Sequence, residues 1–165
     1  MIFVTVGSWH RGYNRLIKAV DELVGCGVIT DEVIAQTGNG SYKPKHLTTI
    51  SFCSPDEFVN FISRSRLVIS HAGVGTIAQA AKKFKPVVVV PRKVSLGEHF
   101  DDHQFVTAET LGKEGKVLVA YEVDELVDKI QQTENFIPNQ SRGNNEILYA
   151  VQEFIDSIIA KKQDW

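Results

Sequence analysis

Short runs dominated by Val, Ile, Leu and Thr, separated by longer amphipathic stretches, leave this chain few ways to fold. Ile2 to Val6, Glu32 to Thr37, Leu47 to Phe52, Leu67 to Ser70, Val87 to Val90 and Lys116 to Ala120 read as strands. A strand with one wet face alternates polar and apolar residues. These runs do not alternate, so both of their faces are covered, which is the situation of a parallel sheet between two layers of helices. The intervening stretches supply those helices. Leu16, Ile17, Val20, Leu23 and Val24 recur at helical spacing, and Gly25 and Gly27 close that helix. Ser54 reads as an N-cap with Pro55 in the first turn and Phe58, Phe61 and Ile62 on one face. Further helices are expected over Gly75 to Lys83, Phe100 to Gly112, Val123 to Gln132, and from about Gly143 to Lys161. The expected architecture is α/β: a doubly wound parallel sheet, one Rossmann-like domain over residues 1–165.

Composition removes several function classes. Eighteen Lys and Arg face 20 Asp and Glu, a net charge of −2. That balance argues against nucleic-acid binding and against a polybasic membrane anchor. Cys26 and Cys53 cannot form a disulfide framework or a zinc spacing, and read as two buried thiols in a reducing compartment. The opening MIFVTVGSWHRG has no basic leader, and Val87 to Val90 falls far short of the ~18 apolar residues of a membrane span. A cytoplasmic location is expected.

In an open parallel sheet, ligands bind outside the carboxyl ends of the strands. The loop there with the clearest chemistry is Ser70-His71-Ala72-Gly73-Val74-Gly75-Thr76, which leaves a strand and opens a helix. Bare glycines let an anion approach the backbone, and the free amides and positive dipole end of a helix hold phosphate. The alternative is that Gly73 and Gly75 merely let strand and helix pack closely. Gly7-Ser8, after the first strand, faces the same crevice. Gly38-Asn39-Gly40 is a third glycine-rich loop on that rim, or a plain turn. The pattern Gly73-x-Gly75-x-x-Ala78 also fits a dinucleotide fingerprint, but it follows the fourth strand and no acid ends the next one. An NADP protein with Arg92 on the 2′-phosphate is the rival that this pattern permits. In Glu98 to Gln104, His99 and His103 would share a helix face, with Asp101 and Asp102 between them and off it. That loop reads as a metal site, a solvated first helical turn, or a set of sugar-hydroxyl partners.

The segments MIFVTVGS, QTGNG, LVISHAGVGTIAQA, PVVVVPR and DDHQ together resemble the family 28 glycosyltransferases, across nearly the whole chain. They are similar to the C-terminal, nucleotide-sugar-binding half of a GT-B enzyme. The stand-alone type is the nearer likeness: the catalytic subunit of the dolichol-linked UDP-GlcNAc transferase and bacterial exopolysaccharide transferase subunits. The resemblance implies a UDP-sugar donor and inversion at the transferred sugar. It also implies a lipid-linked sugar acceptor and a membrane-associated subunit that binds this acceptor. It places Ser8, His71, Ala72, Gly73, Val74, Gly75 and Thr76 on the donor diphosphate. It places Phe52 and Cys53 at the uracil, Gln79 at the ribose, and His103 and Gln104 at the donor sugar. Gln79 stands where the family usually has Glu, so the bond to the ribose hydroxyls loses its charge-assisted strength. No cofactor and no metal are implied. The general base is expected on the partner, with His71 the candidate on this chain. A module that binds nucleotide sugar without transferring it is the alternative that Gln79 keeps open. The apolar stripe Ile147, Leu148, Val151, Phe154, Ile155, Ile158 and Ile159 suits either the chain's own sheet or a docked partner.

Overall fold

The computed structural model describes residues 1–139. The helix expected from about Gly143 lies outside them. Six strands form one parallel sheet: β1 (Ile2–Thr5), β2 (Val33–Gln36), β3 (Thr48–Ile50), β4 (Leu67–Ser70), β5 (Val87–Val89) and β6 (Leu118–Val119), in the order β3-β2-β1-β4-β5-β6. The chain winds outward from β1 through β2 to β3, then returns to the other side of β1 and winds outward again. The reversal separates the loops after β1 and β4, and a crevice opens between them.

Alternation along the central strands fills both faces, as the unbroken apolar runs require. Ile2, Val4 and Val6 join Leu67, Ile69, Val88 and Val90 in one core, under α1 (Asn14–Gly25) and α5 (Leu126–Gln132). Phe3 joins Val68, Val87 and Val89 in the other, under α2 (Pro55–Arg64), α3 (Val74–Lys82) and α4 (His103–Lys113). Phe3 lies 5.3 Å from the ring of Phe61, stacked, and 5.6 Å from Phe58, edge-on. The start of α2 is as expected. Ser54 caps the Glu57 amide, Glu57 accepts the Ser54 N–H in return, and Pro55 holds the first turn.

Three expectations change. Strand β3 is an exposed edge of only three residues, where Leu47 to Phe52 was expected, because Thr48 and Thr49 face water. Helix α4 begins at His103, so His99 and Phe100 are not helical. Neither cysteine is buried: Cys26 is exposed after α1 and Cys53 is half-buried.

A buried acid pins the long β2–β3 connection. The Asp21 carboxylate, 3% exposed on α1, accepts the backbone N–H groups of Lys45 and His46 and the hydroxyl of Tyr42. Burial opposes its ionisation, but those bonds prevail and hold its pKa below the usual 3.8. A carboxyl group with a lowered folded pKa stabilises the fold above its unfolded value, and that contribution disappears as pH falls through the folded value. Between pH 6 and pH 3, wild type is therefore expected to lose more stability than Asp21→Asn, measured as urea midpoints across about that range. Phe3→Ala is expected to cost about 3–5 kcal/mol in the same measurement.

Candidate functional site

At the winding reversal lies a cleft of about 580 Å³. The strand order sets out its walls. From the β3 side come Phe52, Cys53, Ser54 and Pro55, with Phe58 and Val59 of α2. From the β1 and β4 side come Gly7, Ser8, His71, Gly73, Gly75 and Thr76, with Gln79 of α3. One end is thus mainly apolar, and the other is made of backbone, hydroxyls and an imidazole.

The polar end is built around the start of α3. No side chain caps this helix: Gly73 is the N-cap and has none to offer. Among the described residues, the first-turn amides therefore have no side-chain acceptor, and they lie at the positive end of the helix dipole. Among the described residues, a Cβ on Gly75 would meet nothing within 4 Å, which leaves the approach to these amides open on that side. Gln79 lies one turn further on the same face.

Gly73 serves a different purpose. A Cβ there would stand 2.2 Å from Nε2 of His71, and one on Gly7 would stand 2.6 Å from its Cε1. The imidazole occupies the space that two missing side chains leave. Gly7 also takes φ +72°, the left-handed conformation that glycine adopts freely. Burial, helped by the charge of Arg92, lowers the His71 pKa to about 4, and its Nδ1 has no hydrogen-bond partner among the described residues. His71 is therefore a neutral group at the cleft. Gln36, at the end of β2, steadies the neighbouring turn: its amide donates to the Gly7 carbonyl at 3.1 Å, and its oxygen accepts the Thr5 hydroxyl.

Of the residues expected at a donor, Ser8, Phe52, Cys53, His71, Gly73, Gly75, Thr76 and Gln79 line the cleft together. Ala72 is buried in the core beneath α3, and Val74 is the first helical residue; neither side chain lines the cleft. His103 and Gln104, at the start of α4, are not among the residues that line it. Gln104 is buried, and its side-chain oxygen accepts the Arg92 N–H at 3.1 Å. Gln36, Phe58 and Val59 were not expected. Phe58 and Val59 read as ordinary helix-face residues, while the QTGNG run holds Gln36 in plain view.

Two expectations about the loop after β5 do not survive. Because α4 starts at His103, Asp101 is not carried off a shared helical face. Its carboxylate meets the Nδ1 atoms of both His99, at 3.2 Å, and His103. Arg92 is fully buried, so it is not placed to greet a 2′-phosphate. The loop Gly38–Gly40 acts as a turn: Gly40 packs against Gly12, and neither lines the cleft.

Residues 1–159 match the glycosyltransferase family 28 C-terminal domain. The chain belongs to this family. It is 35% identical over 107 residues to the UDP-N-acetylglucosamine transferase subunit ALG13 of Cryptococcus neoformans, a match over 63% of this chain and 51% of that protein. The chain spans about half the length of this fungal relative and about a tenth of the mouse and human proteins of the same name. Among solved structures, the NMR structure of ALG13 superposes with a TM-score of 0.57 at 21% identity, covering 89% of this chain and 94% of that one. Acinetobacter baumannii MurG gives 0.56 at 18% identity, covering 80% of this chain and 40% of that one. The fold is that of GT-B glycosyltransferases, and the doubly wound parallel sheet is the one expected. Among the described residues, no helix is long and apolar enough to cross a membrane.

The seat of His71 makes a coupled outcome measurable. Gly73→Ala is expected to lower the melting temperature sharply in wild type and far less in a His71→Ala background, since the clash needs both partners. By NMR, the His71 imidazole is expected to stay neutral down to about pH 4. A lowered histidine pKa stabilises the fold above the unfolded value, and that contribution is lost as pH falls from about 6.5 towards 4.

Proposed function

We propose that this chain is the donor-binding, catalytic subunit of an inverting UDP-sugar glycosyltransferase. The transferred sugar goes to a lipid-linked acceptor presented by a second, membrane-associated subunit on the cytoplasmic side. The observation that carries the reading is the uncapped start of α3, opening with a bare Gly75 into the cleft. Membership of family 28 and the subunit names of the relatives support it.

In this reading the uracil lies against Phe52 and Cys53, with Phe58 and Val59 completing the apolar wall, and the ribose reaches Gln79. The diphosphate meets the amides from Val74 to Thr76 and the bare Cα of Gly73, whose own N–H donates to the His71 carbonyl at 2.8 Å, together with Ser8 and His71. Transfer forms a bond between the acceptor oxygen and the anomeric carbon. The bond from that carbon to the β-phosphate oxygen breaks, and its electron pair leaves with UDP. The hydroxyl proton passes to a general base on the partner; His71 is the alternative on this chain. Negative charge grows on the leaving diphosphate, where fixed amides and the helix dipole stabilise it without reorganising. A neutral His71 serves there as a hydrogen-bonding group whose state is constant from about pH 5 to 8. His103 and Gln104 stand on the donor-sugar side.

Gln79 favours one other reading, a module that binds the donor without transferring it. The two readings part on donor hydrolysis and transfer, assayed with and without the membrane fraction that supplies an acceptor subunit. Turnover only in the combined sample supports the transferase. Donor binding with no turnover in either sample supports the module.

Binding itself is tested by thermal shift with UDP, UDP-GlcNAc, GDP-mannose and NADPH. A ligand that binds only the folded state raises the midpoint. The uridine nucleotides are expected to raise it and NADPH to leave it unchanged. Gly75→Asp has room to fold, yet it sets a carboxylate in the anion's place, so it is expected to abolish the UDP shift while keeping a midpoint close to wild type. A UDP shift retained in Gly75→Asp would overturn the placement of the diphosphate.

A further inference from the structure

The loop after β1 lines the donor cleft and the loop after β5 leads into α4, and each carries one expected donor contact: Ser8 on the first, and His103 where the second enters α4. Between them lies Arg92, fully buried. Its Nη1 donates to the carbonyls of Arg11, Gly12 and Glu98, each at 3.2 Å, and its Nη2 donates to Val6 at 2.8 Å. Three of these acceptors belong to the first loop and one to the second. The guanidinium also lies over the ring of Tyr13, 4.6 Å from its centroid.

A buried cation would ordinarily sit on a carboxylate. The nearby carboxylate is engaged elsewhere: Glu98 takes two bonds from Arg15 at 2.9 Å and one from the Lys93 N–H at 2.8 Å. An apolar residue in place of Arg92 would take the donor from four carbonyls, those of Val6 and Glu98 in buried bonds and those of Arg11 and Gly12 in partly buried ones. A lysine would bring three donors on a compact ammonium, which cannot reach four acceptors on two loops. Further contacts follow the same seam: Arg11 donates to the Gly97 carbonyl at 2.8 Å, and Trp9 stacks on His99 at 4.9 Å. The charge of Arg92 is also felt inside the cleft, where it helps to keep His71 neutral.

We propose that Arg92 is a positioning residue for the donor cleft. Its buried guanidinium joins the loop after β1 to the loop after β5 and so fixes Ser8 and His103 relative to the start of α3. The assignment rests on the donor reading of the cleft, and its test separates the two.

UDP binding is measured by calorimetry at low temperature for wild type, Arg92→Lys, Arg92→Met and the core control Leu111→Ala. Amide hydrogen exchange is followed on the same proteins. Arg92→Lys is expected to fold, to weaken UDP binding by about ten-fold or more, and to speed exchange in residues 7–12 and 93–103 while β1 and β4 keep their protection. Leu111→Ala is expected to lower the melting temperature and yet bind UDP within about two-fold of wild type. A purely structural Arg92 would behave like that control. UDP affinity within about two-fold of wild type in Arg92→Lys overturns the proposal, as does exchange that rises evenly across the sheet. If both Arg92 variants fail to fold, wild type alone decides. Saturating UDP is expected to slow exchange in residues 93–100, which do not line the cleft, together with residues 7–12; no change in 93–100 overturns the proposal. A wild type that does not bind UDP overturns the donor reading instead. In that case the exchange pattern of Arg92→Lys still decides whether the guanidinium joins the loops.

Discussion

The site rests on a helix start that no side chain among the described residues caps. Amides at the first turn of α3 are polar, oriented and partly enclosed, and Gly73 as N-cap offers them no side-chain oxygen. Burying such groups without a partner is costly, and an acceptor from outside would satisfy them. The winding of the sheet decides where they point. Because the chain returns across β1 before forming β4, the crevice at the reversal lies between the loops after β1 and β4. Backbone chemistry and topology together make the site; side chains trim it.

An electrostatic device of this kind suits a leaving diphosphate. Helix amides hold their geometry before and after the bond breaks, so little reorganisation accompanies the growth of charge. Their pull is also independent of pH, and the buried imidazole of His71, with its pKa lowered to about 4, brings no titration step near neutrality. Gln79 is the weaker element. An uncharged amide recognises hydroxyl groups, but with less strength than a carboxylate.

Much of this was legible from residue order. Unbroken Val and Ile runs led to a two-faced parallel sheet, and Ser54-Pro55-x-Glu57 marked the start of α2 correctly because a capping box is local chemistry. The glycine loop after β4 led to the cleft. What sequence could not supply was which atoms fill the space beside each glycine. Gly73 and Gly75 look equivalent in SHAGVGT, yet one makes room for an imidazole and the other opens onto the cleft. The start of α4 was misplaced for a related reason. Phe100, Asp101 and Asp102 are tolerable helix residues, but contacts of His99 and Phe100 with Trp9 on a distant loop hold the segment out of the helix. Arg92 invites a reading as a surface ligand for phosphate, and only the fold reveals that four carbonyls surround it.

The imidazole lodged between two bare Cα atoms also bears on how a chain like this drifts over generations. Gly7 and Gly73 are far apart in the sequence, yet each is held by the same ring. While histidine occupies position 71, an alanine at either site is penalised; once a smaller residue replaces the ring, the steric penalty is relieved at both, and at Gly7 the positive φ still resists. The order of mutations therefore matters: the ring must go before the clash at either glycine is lifted.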